Sequence, residues 1–184
     1  MRLFAALPVG GEATAELERL LENLRRTDWP VRWVRGDALH VTVKFFGEVE
    51  ADQVDAIREA LGAATDRTPL LPFAPGELGG FPNLRRPRVL WAGYQSETAL
   101  ELLVHRVEQR AEALGFPVEG RPFRPHVTLG RVRDGVPWPS VASDRLEREA
   151  LHASFVADRL VLFESRQGSG GQVYSQLNNF PLGS

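Results

Sequence analysis

The tripeptide His-Val-Thr occurs twice, at His40-Val41-Thr42 and at His126-Val127-Thr128, in a chain with only four histidines. Imidazole titrates near neutral pH, so two histidines can divide a proton-transfer task. One accepts a proton from a nucleophile and the other supplies one to a leaving group. In-line cleavage of a phosphodiester asks for that division. The threonine hydroxyls can donate hydrogen bonds to the non-bridging oxygens, and Arg131 or Lys44 can offset their charge. The scheme requires no metal, and no cofactor is expected. The chain has no cysteine, no His-x-His and no His-Glu-x-x-His, the spacings that commonly build zinc sites, so zinc held by His40 and His126 is disfavoured.

Both tripeptides sit in strand-like sequence. Side chains alternate between faces along a strand, so His40 and Thr42 share one face and Val41 and Val43 the other. His126 and Thr128 are opposed to Val127 and Leu129 in the same way. Each copy therefore offers a polar His/Thr pair on one side and an apolar pair to a core on the other. Two such strands from two parts of the chain can set two imidazoles across a cleft. Strict alternation puts Lys44 on the face of His40 but Arg131 on the face opposite His126. A bulge or twist at Gly130 would bring Arg131 back. Arg124, just before Pro125, is a further candidate for holding phosphate. Phe81 and Tyr174 are candidates for stacking on a base. Arg85, Arg86 and Arg88 form a local basic cluster that can touch further phosphates of a ligand or simply be solvated. His105 falls off the apolar stripe of its helix and reads as a surface residue, and His152 receives no role.

The elements that must position these groups are readable from periodicity and breakers. Strands are expected at Arg2 to Leu7, Val31 to Val34, Leu39 to Phe46 (ended by Gly47), Val89 to Gly93, His126 to Val132, Ala150 to Val156, Arg159 to Phe163 and Val173 to Leu177. Helices are expected from about Glu12 to Leu24, Ala51 to Ala64 and Glu97 to Leu114, with Gly115 as the C′ residue of the last. Thr68 to Pro87 reads as an irregular strand followed by an exposed loop from Gly79, and Asp134 to Ser143 as a loop. The Gly168-Ser169-Gly170-Gly171 run lacks the lysine and the helix of a phosphate loop and reads as a hairpin turn. Strands and helices interleave, and several strands adjoin in sequence. This favours α+β architecture with largely antiparallel sheets.

The bulk properties exclude several classes. The 184 residues, 43% hydrophobic and 25% charged, suit a globular protein with a substantial core. A formal net charge of −2 provides no global field for nucleic acid, so any anionic partner must be held by local cations. Disulfides and thiolate chemistry are ruled out by the lack of cysteine. No apolar run approaches the roughly 20 residues that span a bilayer. The opening Met1 to Pro8 is too short an apolar segment, broken too soon by proline, to read as a signal peptide. The expectation is a cytoplasmic monomer without membrane partners.

The residues around the two tripeptides resemble the two-histidine phosphoesterases, and within them the LigT-type RNA 2′,3′-cyclic phosphodiesterases, also called 2′-5′ RNA ligases. The resemblance runs along nearly the whole chain. It covers Arg2 to Pro8, Arg32-Trp33-Val34 with Leu39 to Gly47, Gly79-Gly80-Phe81-Pro82, Arg88 to Gly93, Phe123 to Arg131, and Leu160 to Ser165 followed by Tyr174. It implies one bilobal, pseudo-two-fold symmetric domain. Two mostly antiparallel sheets would carry helices on their outer faces, each lobe giving one His-Val-Thr motif to a cleft between them. It implies hydrolysis of RNA or nucleotide 2′,3′-cyclic phosphates to 2′-phosphates. His40 would protonate the departing 3′ oxygen, His126 would activate water, and Thr42 and Thr128 would hold the phosphate. Reversible 2′-5′ joining of RNA ends is implied as a related transfer. Two other readings stay open: a nucleotide- or RNA-binding module without turnover, and a phosphodiesterase for another cyclic or 2′-5′-linked nucleotide.

Overall fold

The computed structural model describes residues 1–169 and 171–183. The strands are β1 (Arg2–Pro8), β2 (Val31–Trp33), β3 (His40–Glu48), β4 (Leu71–Phe81), β5 (Val89–Ser96), β6 (His126–Val132), β7 (Phe155–Ala157), β8 (Arg159–Gly168) and β9 (Gly171–Pro181). The helices are α1 (Gly11–Arg25), α2 (Val54–Thr65), α3 (Thr98–Ala113) and α4 (Ser140–Arg148). Leu17, Leu20, Leu21 and Leu24 of α1, Ile57 and Leu61 of α2, and Leu100, Leu103 and Val107 of α3 are buried, as their helical spacing requires. Gly115 ends α3 at φ +89°. Its N–H donates to the Glu112 carbonyl and that of Phe116 to the Ala111 carbonyl, the paired bonds of a Schellman stop. Among the described residues no helix is long and apolar enough to cross a membrane.

Every strand pairing is antiparallel, in the order β7-β4-β5-β6-β3-β1-β8-β9, with β2 beside β6. The two expected sheets are thus the halves of one curled sheet, hinged between β6 and β3. The halves repeat each other. The run β1-α1-β3-α2-β4 recurs as β5-α3-β6-α4-β8, and β4 and β8 each cross over to pair in the other half. The helices share one core cluster with Leu3, Ala5 and Leu7 of β1. Phe4 and Ala6, on the other face of β1, belong to a separate cluster with Val161, Phe163 and Tyr174. One face of the sheet is therefore covered by helices and the other is open.

The hinge sets the site. The edge of β6 that meets β3 also accepts β2, which pairs from Gly130 to Val132. That leaves β3 one register pair with β6, Val41 opposite Val127. The two strands touch near their starts and part beyond. Continuing the antiparallel register one residue each way sets His40 across from Thr128 and Thr42 across from His126. On an ideal ladder the two histidines would then be diagonal neighbours, with Cα atoms roughly 7–8 Å apart.

Four expectations about elements are corrected. Gly47 does not end β3; its φ of +74° lets the strand bend and continue to Glu48, with Phe46 as an extra residue in the register with β1. Gly79, Gly80 and Phe81 are the end of β4 rather than an exposed loop, and both glycines are buried. A side chain at Gly79 would collide with the indole of Trp91, so this glycine marks close packing and not a turn. Ser140–Arg148 is a helix where a loop was expected, because Pro137 and Pro139 stand just before its first turn and Ala142 and Leu146 form its buried face. The strand expected from Ala150 shrinks to Phe155–Ala157, with Ala150 making one isolated bridge to Glu77. In the β8–β9 turn Gly168 pairs with Gly171, while Gly170 lies outside the described residues.

Candidate active site

The two histidines are held alike. His40 Nδ1 lies 2.7 Å from the carbonyl oxygen of Ala38, and His126 Nδ1 lies 2.8 Å from that of Arg124. A carbonyl only accepts, so each Nδ1 carries a proton and each Nε2 is left for chemistry. In both cases the partner is the residue two positions back. The same local turn therefore fixes the same tautomer in each half.

Aromatic rings fix the planes of the imidazoles. His40 packs against Phe4 of β1 (centroids 5.0 Å apart), Tyr174 of β9 (5.5 Å, edge-on) and Phe163 of β8 (6.0 Å). His126 meets Phe81 of β4 edge-on at 5.1 Å and Trp91 of β5 at 6.3 Å. Phe81 and Tyr174, singled out above as base-stacking candidates, thus lie one beside each histidine. Phe4, Phe163 and Trp91 escaped the sequence reading. Each alternates with small or aliphatic residues and looks like ordinary core.

Thr42 and Thr128 are half-buried on the open face, opposite Ala6 and Trp91 in register. Beyond them both strands do the same thing. Val43 is an extra residue between Thr42, paired with Ala6, and Lys44, paired with Ala5. Leu129 is an extra residue between Thr128, paired with Trp91, and Gly130, paired with Leu90. Each bulge turns two successive residues to the helix side and returns the next one to the open face. In β6 this restores Arg131, exposed, to the face of His126 and Thr128. Its charge, with that of Arg2, reaches Tyr174: burial raises the phenol above its ordinary value, and the two arginines act against that rise.

In β3 the equivalent bulge removes Lys44 from the site, correcting its assignment as a phosphate ligand. Lys44 is buried, with Nζ 2.7 Å from Glu108 Oε2 and 2.6 Å from the Pro117 carbonyl. Phe45 takes the place on the open face that Arg131 holds in the other half, and it is 63% exposed. Lys44 and Glu108 form a buried ion pair, so Glu108→Ala strands an ammonium in the core. It should cost about 3 kcal/mol in urea unfolding, and a loss under about 1 kcal/mol would show that the pair is solvated.

Arg124 is exposed, and the contact it makes with the site is through its carbonyl, on His126. Arg85, Arg86 and Arg88 are exposed around a loop closed by Asn83 Oδ1, which accepts from the N–H groups of Arg85 and Arg86. His105 is exposed on α3, and His152 is exposed with its backbone N–H on Glu16.

Burial holds the His40 imidazole well below its ordinary 6.5, at about 4. The Ala38 carbonyl works against this, and charge on His126 adds to it. In its own surroundings His40 is therefore neutral at neutral pH. The unfolded chain takes up this proton near pH 6.5 and the folded chain only near pH 4, so folding stability falls as the pH drops through that window. The loss should reach about 3 kcal/mol. His40→Gln should lack it, so the stability difference between the variant and the unaltered protein should shift in the variant's favour from pH 7 to pH 4. Parallel urea titrations that keep a constant difference would refute this.

Comparison with known proteins gives a consistent assignment. The family model for LigT like phosphoesterases matches residues 7–91 and 94–174. The RNA 2′,3′-cyclic phosphodiesterase of Archaeoglobus fulgidus is 33% identical over 98% of this chain and 99% of its own. The protein of the same name from Geobacillus stearothermophilus is 29% identical over 97% of this chain, which spans 56% of that longer relative. The crystal structure of Escherichia coli LigT complexed with 3′-AMP superposes with a TM-score of 0.76 at 27% identity, covering 100% of this chain and 98% of that one. A match over both histidine-bearing strands and both halves of the sheet carries one conclusion: the chain belongs to the LigT like phosphoesterase family.

Proposed function

We propose that this protein hydrolyses 2′,3′-cyclic phosphates at the ends of RNA or on nucleotides, leaving 2′-phosphates, with His40 as general acid and His126 as general base. The chain would act as a bilobal monomer, each half supplying one histidine. The observation that carries this reading is the matched pair of rings, each pinned through Nδ1 and each with no hydrogen-bond partner at Nε2 among the described residues. A pure binding site has no need of two such groups.

In the step proposed, His126 Nε2 takes a proton from water as the water oxygen bonds to phosphorus. The bond from phosphorus to the 3′ oxygen breaks, and that oxygen takes the proton from His40 Nε2. Thr42 and Thr128 donate to the non-bridging oxygens, and Arg131 offsets the charge that gathers there. Arg124 acts by holding His126 through its carbonyl. Phe81 and Tyr174 brace the rings and offer their remaining faces to a base. With a hydroxyl in place of water the same geometry would join RNA ends 2′-5′. No metal enters the scheme.

The lowered pKa of His40 bears on its role as acid. An anionic phosphate beside it favours the charged imidazole, so substrate supplies the condition that lets His40 carry its proton. A second reading exchanges the two roles, and the same burial favours it, since a histidine held neutral is ready to act as base. The names of the relatives support a 2′,3′-cyclic phosphate as substrate, and the 3′-AMP in the E. coli LigT crystal supports a nucleotide-sized ligand. Phosphorus NMR tests the reaction: the cyclic diester signal should be replaced by a monoester signal. Tight binding of a cyclic nucleotide without that replacement would leave a binding module instead.

A further inference from the structure

Arg32, Arg131 and Val89 stand in one line of register across β2, β6 and β5. Directly opposed residues of antiparallel strands share a face. Val31 and Trp33, on either side of Arg32, pack where a side chain at Gly130 would lie, on the helix-covered side. Arg32 therefore projects with Arg131 onto the open face, beyond Thr128 on the face that carries His126. Both arginines are exposed. Among the described residues no carboxylate is within ion-pair distance of either guanidinium.

Two like charges directly opposed on neighbouring strands destabilise a sheet unless an anion joins them. Arg131 has an anion in the proposed mechanism, the reacting phosphate; Arg32 has none. The other half of the cleft offers no such pair. There the counterpart of Arg131 is Phe45, aligned with Phe4 and Phe163, and Arg2 is opposed in register by Glu48. The directly opposed pair of guanidiniums thus lies on one side of the reacting phosphate, across β6 to β2, while on the other side Arg2 stands singly and the Glu48 carboxylate lies 3.7 Å from the N-terminus.

We propose that Arg32 holds a second phosphate, the internucleotide phosphate next to the reacting one, so that the preferred substrate is an oligonucleotide end and not a free nucleotide. The proposal rests on the reading of the cleft as a cyclic-phosphodiester site. Cross-strand neighbours about 5 Å apart at Cβ and two long flexible side chains suit successive phosphates of a single strand. A guanidinium also matches phosphate in a bidentate way that an ammonium does not.

The test compares a dinucleotide ending in a 2′,3′-cyclic phosphate with the corresponding mononucleoside 2′,3′-cyclic phosphate, for the unaltered protein, Arg32→Ala and Arg32→Lys. The unaltered protein should favour the dinucleotide. Arg32→Ala should lower that preference about tenfold, through KM, and Arg32→Lys should keep part of it. The salt dependence of the dinucleotide KM should also lose about 0.7 from its log–log slope in Arg32→Ala. An unchanged preference, or an equal loss on both substrates, would overturn the proposal while the proposed function stands. Turnover of neither substrate by the unaltered protein would overturn both.

Discussion

Alanine in place of His40 or His126 should each lower kcat/KM on a 2′,3′-cyclic nucleotide by about 10²- to 10⁴-fold, with circular dichroism and the unfolding midpoint at pH 7 little changed. The double variant should be scarcely worse than either single one, because an acid and a base that act in one step fail together. The roles are separable by the leaving group. An aryl phosphodiester expels a weakly basic phenolate that needs little protonation, so a variant lacking the acid should recover much of its deficit on that substrate. A variant lacking the base should recover none. Recovery in His40→Ala assigns the acid to His40, and recovery in His126→Ala assigns the exchanged roles. Equal deficits on both substrates in both variants would mean that the histidines bind phosphate without moving protons.

Arg131→Ala is the second large effect expected, about 10²-fold in kcat/KM. The bulge at Leu129 sets Arg131 on the face of Thr128, where its charge would meet the non-bridging oxygens in the proposed step. Arg131→Lys should recover only part, since a point charge replaces a planar fork. The contrast with Lys44 is instructive. Its Nζ is committed to Glu108 and Pro117, so substitutions at that pair should move stability and leave phosphate affinity in place. A strong, selective KM effect from Glu108→Ala would contradict the placement of Lys44.

The facing of His40 and His126 was legible because alternation holds over the three residues of each tripeptide. Val41 and Val127 face the core, so His40, Thr42, His126 and Thr128 face away from it. It failed two residues later, at the bulges. Gly130 admits a bulge in β6 without requiring one, and nothing in Val43-Lys44 names an extra residue; a bulge is set by pairing with β1 and β5, which are remote in sequence. The two repeats, aligned, do carry a trace of it, since they place Phe45 against Arg131 and Lys44 against Gly130. Gly130 has to lack a side chain because Val31 and Trp33 fill the space. The same limit explains β4 and α4. Gly79 reads as a breaker until Trp91 is seen lying over it, and the prolines before Ser140 hide a helix whose buried face is only Ala142, Ser143 and Leu146. The antiparallel α+β architecture was legible because it depends on element order. The join of the two halves into one sheet depends on a single register pair, Val41 with Val127, which no local pattern encodes.

The central claim is that the facing histidines break the bond from phosphorus to the 3′ oxygen without a metal. The most direct measurement incubates the protein with a 2′,3′-cyclic nucleotide in excess chelator and identifies the product by its separation from both authentic monophosphates. A 2′-phosphate, formed at the same rate with and without chelator, is the result expected. A 3′-phosphate, or turnover that disappears with chelator, would contradict the account.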